Sequence, residues 1–247
     1  MILRRLIQHL QQQQWTAIGI ELVIVVLGVF IGIQAQQWQQ GWEERRLERV
    51  YLERILADIA LSIETNELNI ARLEGYSDGQ ALVVASLRRC ELPEDKQDAF
   101  ADGISDIAKV GPSVFVLSTM DEMLSAGQFS LIRNPDMRDV LNGLARDSKY
   151  QANIFTTIHA QLGAATVTTS QRTLRIYADH RGPLDPVTWN EMDIDFAALC
   201  TDKQFQSAVS AVRYLTDAQI SLNARAIDKL RQAKTMLATD LAASGRS

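Results

Sequence analysis

Glu21 has the strongest chemical potential of any residue in the sequence, because it interrupts an apolar run that extends from Trp15 to Ile33. A carboxyl group that deep in a bilayer costs on the order of 3 kcal/mol on insertion scales, so it needs a proton, a partner or access to interfacial water. At about 100° per residue, Ala17, Glu21, Gly28, Gly32 and Ala35 fall within roughly 60° of a helix circumference. Gly28 and Gly32 have GxxxG spacing, which lets a second helix approach closely. The pattern predicts self-association inside a membrane, with Glu21 facing the partner or a small polar cavity. Two alternatives stay open. The glycines are common in spanning helices and Glu21 is simply protonated or reaches interfacial water, or Glu21 lines a proton or ion path through an oligomer.

Other reactive side chains are sparse. His9, His159 and His180 are far apart, and there is no HExxH, GxSxG, Walker loop or dinucleotide-binding fingerprint. The expectation is therefore a protein that is not an enzyme, with no catalytic residues, cofactor or metal. Asp185, Glu191, Asp193 and Asp195 offer the hard oxygen ligands that Ca²⁺ takes, but they lack the order of an EF-hand loop and read as a solvated loop. His180, between Asp179 and Arg181, reads as surface loop in the same way. Cys90 and Cys200 are the only cysteines. In an oxidising compartment they can pair and close a loop of about 110 residues, worth about 3 to 5 kcal/mol in the loop-entropy account; two unrelated thiols are the alternative.

The element that positions Glu21 is a membrane helix. Nineteen residues at about 1.5 Å each cover the roughly 30 Å hydrocarbon core, and Trp15 at the start with Trp38 and Trp42 beyond the end suits the two interfaces. Arg4 and Arg5 before the run are balanced by Arg45, Arg46 and Arg49 after it. The short leading tail and the large following domain favour an inside N-terminus and an outside domain. A cleaved signal peptide fits less well, because the apolar run is long, contains Glu21, and has Ile33 two positions before Ala35. A net charge of −5 argues against a nucleic-acid partner, and 13 glycines with 5 prolines are too few for an all-β chain.

These readings divide the chain into a cytoplasmic or interfacial segment at 1–14, a transmembrane helix and interface at 15–38, a helical domain at 39–243 and a frayed tail at 244–247. Ile2, Leu3, Leu6, Ile7 and Leu10 stand at helical spacing, compatible with a short interfacial helix or a solvated stub. Leu47, Tyr51, Leu52, Ile55, Ile59, Ile63, Ile70 and Leu73 predict a long amphipathic helix over 43–74, nearly continuous with the span. Gly75 to Gly79 is the first plausible break or kink, followed by helix over 80–89. Pro93 opens the next helix, which should stop near Gly111-Pro112, and 114–117 is a buried connector or the start of the following helix. Thr119 to Glu122 has capping-box spacing, with Gly127 as the terminator. Asn134-Pro135-Asp136 caps a helix running well past Tyr150, as far as about Tyr177. Asp179 to Asp195 is the clearest loop, and Thr201 to Gln204 repeats the capping-box spacing before a last helix to about Ala242.

Two stretches carry a family resemblance. Gly19 to Trp38 resembles the pattern G-E-I-x-L-V-V-x-G-I-x-I-A-L-Q-x-x-x-W, with Glu displaced by one position relative to Gly. Thr119 to Ile132 resembles T-x-x-E-L-x-x-S-G-x-x-x-L-I. Together they resemble a large group of uncharacterised bacterial single-pass membrane proteins known as a domain of unknown function; the C-terminal third carries no such pattern. The resemblance implies architecture rather than mechanism: an inner-membrane anchor with a periplasmic domain. The fold class expected is all-α, a transmembrane helix continuing into a long amphipathic helix and then an extramembrane bundle. The function expected is a membrane-anchored scaffold or interaction protein that contacts the lipid bilayer and forms a homo-oligomer or joins a membrane-protein partner. A periplasmic ligand-sensing module and a conducting oligomer centred on Glu21 are the alternatives.

Overall fold

The computed structural model describes residues 15–175 and 185–244, with the side chains of 15–19, Glu21, Leu174, Arg175 and Ser244 outside the described set. The readings of residues 1–14, of the loop at 179–184 with His180, and of the tail at 245–247 also lie outside it. Among the described residues the fold is all-α apart from one two-residue ribbon: α1 (Trp15–Arg89), α2 (Gln97–Ser105), α3 (Ser118–Ser125), α4 (Pro135–Ser170), β1 (Leu174–Arg175), β2 (Met192–Asp193), α5 (Phe196–Thr201) and α6 (Lys203–Ser244). Two compact units divide the chain, Met1–Tyr51 and Leu52–Ser247.

In the second unit, α1 buries Leu52, Ile55, Ile59, Ser62, Asn66, Asn69, Leu73, Ser77, Gln80, Val83 and Leu87. Their spacing of three and four puts them on one helix stripe. α6 runs antiparallel to both long neighbours. Its Arg231 pairs with Glu67 and its Asp217 accepts from Ser77 on α1, while Asp240 accepts from Asn134 and Lys229 pairs with Asp147 on α4. One apolar core joins Val83, Phe100, Ile104, Ile158, Leu162, Leu199, Phe205 and Val212. Phe100 is fully enclosed, with Phe196 edge-on at 5.5 Å and Trp189 at 6.0 Å.

The expected break at Gly75–Gly79 is absent, since α1 passes through both glycines. Gly79 instead marks a helix crossing. A Cβ added to Gly103 of α2 would lie 2.5 Å from the Gly79 carbonyl oxygen, so the two backbones meet directly. The helix after Pro93 also ends earlier than expected: a 3₁₀ turn at Glu94–Lys96 leads into α2, and a second at Asp106–Ala108 closes it.

From Lys109 to Leu117 the chain leaves the helical ladder and forms a non-helical strap. Side chains of two helices meet the backbone groups of Gly111, Pro112, Val114 and Val116. On α1, Asn69 donates to Pro112 O at 2.9 Å, Asn66 donates to Val114 O at 2.7 Å and accepts from Val114 N at 2.9 Å, and Ser62 Oγ accepts from Val116 N at 2.8 Å. On α6, Gln219 accepts from Gly111 N at 3.0 Å and Asn223 donates to Gly111 O at 2.9 Å. The strap therefore runs antiparallel to α1 as an extended connector rather than the start of a helix.

The strap delivers α3 to a cap made by another element. Thr119 caps nothing; Leu117 holds the cap position without a side-chain bond. Asp58 of α1 accepts from Thr119 N and from Ser118 Oγ, each at 2.9 Å, and Arg54 pairs with Glu122. This corrects the local capping box. At the other end, Gly127 has φ +68, and the bonds Gln128 N to Met123 O and Gly127 N to Leu124 O complete a Schellman terminator. Ile132 is buried at the following corner. Asn134 accepts from Asp136 N and Met137 N to start α4, which stops at Ser170, short of Tyr177. Before α6 the cap is Asp202 rather than Thr201, since Asp202 accepts from Gln204 N and Phe205 N at 2.9 Å each.

Removing Asn66 leaves a half-buried strap N–H and C=O without their partner. Asn66→Ala is expected to lower the stability of the domain by about 2 to 4 kcal/mol, measured by urea unfolding followed by circular dichroism. A loss below about 0.5 kcal/mol would show that the strap does not depend on this pair.

Candidate membrane interface and disulfide

From Leu22 to Ile33, α1 is apolar around its whole circumference. Ile20, Leu22, Val23, Ile24, Val25, Val26, Val29, Phe30 and Ile31 are each 56–64% exposed. A soluble amphipathic helix would hide one face, whereas an all-apolar helix needs an apolar medium on every side. This is the one helix among the described residues that is long and apolar enough to cross a membrane, with a mean hydropathy of 1.5 in its most apolar window and none of that window buried.

Gly28, Gly32 and Ala35 lie on this helix and are exposed, and a Cβ added at either glycine meets nothing within 4 Å. The face they share is open to a second helix. The helix backbone carries Ala17 and Glu21 at the expected register.

Past the apolar part, Trp38 and Trp42 meet edge to face at 6.3 Å, and the Arg45 guanidinium lies 5.1 Å from the Trp42 ring centre. Trp38 is 69% exposed. Indoles at this place suit a membrane–water interface, where an apolar ring and a polar N–H are both accommodated.

Cys90 and Cys200 form a disulfide with Cα atoms 5.4 Å apart, across a separation of 110 residues. Cys90 occupies the terminator position of α1, with φ +52. The bonds Glu91 N to Ser86 O and Cys90 N to Leu87 O complete a Schellman motif there, a position that glycine ordinarily takes. A side chain in the left-handed region costs about 1 kcal/mol, and here that side chain carries the link to α5. The sequence signal for this pairing was only that two cysteines exist.

Other candidate groups have structural partners. Glu191 accepts from the Thr188 N–H and hydroxyl, and Asp195 caps α5 by accepting from Ala198 N. Asp193 lies in β2, paired with Leu174. His159 stacks on Phe155 at the surface. Asp98 and Asp102 of α2 accept from Trp189 N and Val187 N and so hold the chain entering β2. Backbone bonds from Phe205, then the Arg172 guanidinium, keep the Asp202 carboxyl below the usual carboxylate range. Among the described residues, no three His, Cys, Asp or Glu side chains converge as a metal site. A shallow hollow of about 360 Å³ lies between α4 and α6, lined by Ile158, Tyr214, Leu222 and Arg225 among others.

No family model, curated protein or solved structure matches the chain.

Loss of the disulfide should loosen the domain without abolishing its helices. Cys200→Ser is expected to lower unfolding stability by about 3 to 5 kcal/mol relative to the oxidised wild type, and by little relative to wild type unfolded with reductant present. Equal stability of oxidised wild type and Cys200→Ser would contradict the link.

Proposed function

We propose that the chain is a non-catalytic, single-pass membrane scaffold of the bacterial inner membrane, with its N-terminus in the cytoplasm and its helical domain in the periplasm, acting through self-association or as an accessory subunit of a membrane complex. The observation that carries this reading is the bare apolar circumference of α1 between Leu22 and Ile33. Only an apolar medium around the helix offsets that much exposed hydrocarbon. The resemblance of Gly19 to Trp38 and of Thr119 to Ile132 to the uncharacterised bacterial family supports the bacterial setting.

The side assignment is supported by the Cys90–Cys200 disulfide, since such links persist in the periplasm and are rare in the cytoplasm. Self-association is supported by the open Gly28, Gly32 and Ala35 surface, where a partner backbone can approach without displacing a side chain. Glu21 stands on the same side by register and takes its proton or hydrogen-bond partner in the contact.

Replacing both glycines by Leu tests the contact. Gly28→Leu/Gly32→Leu is expected to shift the full chain from oligomer to monomer in mild detergent, with dissociation at least about ten-fold more favourable by fluorescence transfer between labelled copies. An unchanged oligomer in the variant, or a monomeric wild type, would remove self-association through this face.

A further inference from the structure

In the second unit, α1 carries a strip of side chains opposite the one it buries. At about 100° per residue, Ala57, Leu61, Glu64, Leu68, Ala71 and Gly75 fall within roughly an 80° arc, on the side of the helix away from Ile59, Asn66 and Leu73. All six are exposed, Leu61 at 52% and Leu68 at 53%. A Cβ added to Gly75 would meet nothing within 4 Å, so a second backbone can come close there. The alternating steps of four and three residues are those of a coiled-coil seam, with Leu61, Leu68 and Gly75 in one row and Ala57, Glu64 and Ala71 in the other.

The charges beside the strip select its occupant. Glu67 and Glu74 flank one side and Arg72 flanks the other, all three exposed. Two copies of α1 laid parallel bring the acidic flank of each against the basic flank of the other, whereas an antiparallel pair would set acid against acid. Glu67 and Arg72 take the g and e positions that meet across a parallel seam. Glu67 also meets Arg231 of its own chain, and its side chain stays 50% exposed. The apolar rows are short, so the contact is weak alone; copies joined through the span hold the strips at high effective concentration, where a weak contact closes. We propose that this strip packs against the same strip of a second copy, parallel and in register, with Leu61 and Leu68 in the seam and Glu67 paired with Arg72 across it. Glu64 faces its counterpart in the seam and limits the affinity, since a polar group at one seam position fixes register at a cost in stability. The proposal deepens the self-association reading above and rests on it.

The test uses the full chain in mild detergent, with Leu68→Cys treated with a short bifunctional maleimide and Lys149→Cys, exposed on α4, as the reference position. Leu68→Cys is expected to give covalent homodimer about ten-fold above Lys149→Cys. By fluorescence transfer between labelled copies, Arg72→Glu should weaken association about five-fold and Glu64→Leu should strengthen it about ten-fold. Circular dichroism and an intact Cys90–Cys200 link confirm that each variant is folded. An oligomeric wild type whose Leu68→Cys variant cross-links no better than Lys149→Cys, or cross-links to a co-purifying foreign protein, would overturn the seam. Unchanged association of the folded Arg72→Glu and Glu64→Leu variants would overturn it as well. A monomeric wild type would instead remove the self-association on which the seam rests.

Discussion

Backbone that leaves the helical ladder inside a helical domain must find new hydrogen-bond partners, and the strap over 109–117 meets this constraint by borrowing side chains from α1 and α6. Asn66 serves both the N–H and the C=O of Val114, Ser62 and Asn69 serve the residues on either side, and Gln219 with Asn223 serve Gly111. An unmatched peptide group there would cost about 1 to 3 kcal/mol. The strap also sets where α3 begins, because Asp58 caps the helix that the strap delivers. The same device recurs where Asp98 and Asp102 of α2 hold the chain at Val187 and Trp189.

This explains the polar residues in an otherwise apolar stripe. Ser62, Asn66 and Asn69 occupy core positions between Ile59 and Leu73, and each is buried. They reduce the hydrocarbon that α1 can bury, but they fix the register of a segment that has no ladder of its own. Buried polar pairs of this kind have one satisfied arrangement, so a slipped strap would leave several groups unmatched at once. The Gly79–Gly103 crossing adds a second constraint, since no larger residue fits where the α2 and α1 backbones meet.

The sequence makes local features legible and leaves distant ones hidden. The apolar helix follows from composition alone, and the start of α4 follows from Asn134-Pro135-Asp136 because cap, proline and acid are neighbours. Gly127 is readable for the same reason. The cap of α3 is not legible locally, because Asp58 lies 61 residues before Thr119. Thr119 has the right spacing to Glu122, but Glu122 is engaged by Arg54 instead. The strap had one available signal, the run of Ser62, Asn66 and Asn69 at helical spacing in the core-facing stripe, with Leu47 lying exposed outside it. Gly75–Gly79 resembled a break because glycine weakens an isolated helix, and here α2 packs directly on Gly79. The β1–β2 ribbon is too short for any periodicity to reveal.

The proposed role joins the bare apolar helix to a domain whose disulfide needs an oxidising compartment. Both parts of that claim are read in one experiment: alkylation of free thiols in intact cells, followed by membrane fractionation and mass analysis of the full chain with and without prior reduction. The account expects a membrane-bound chain in which Cys90 and Cys200 resist alkylation until a reductant is added. A chain whose two cysteines alkylate without reduction, or one recovered entirely outside the membrane fraction, would contradict it.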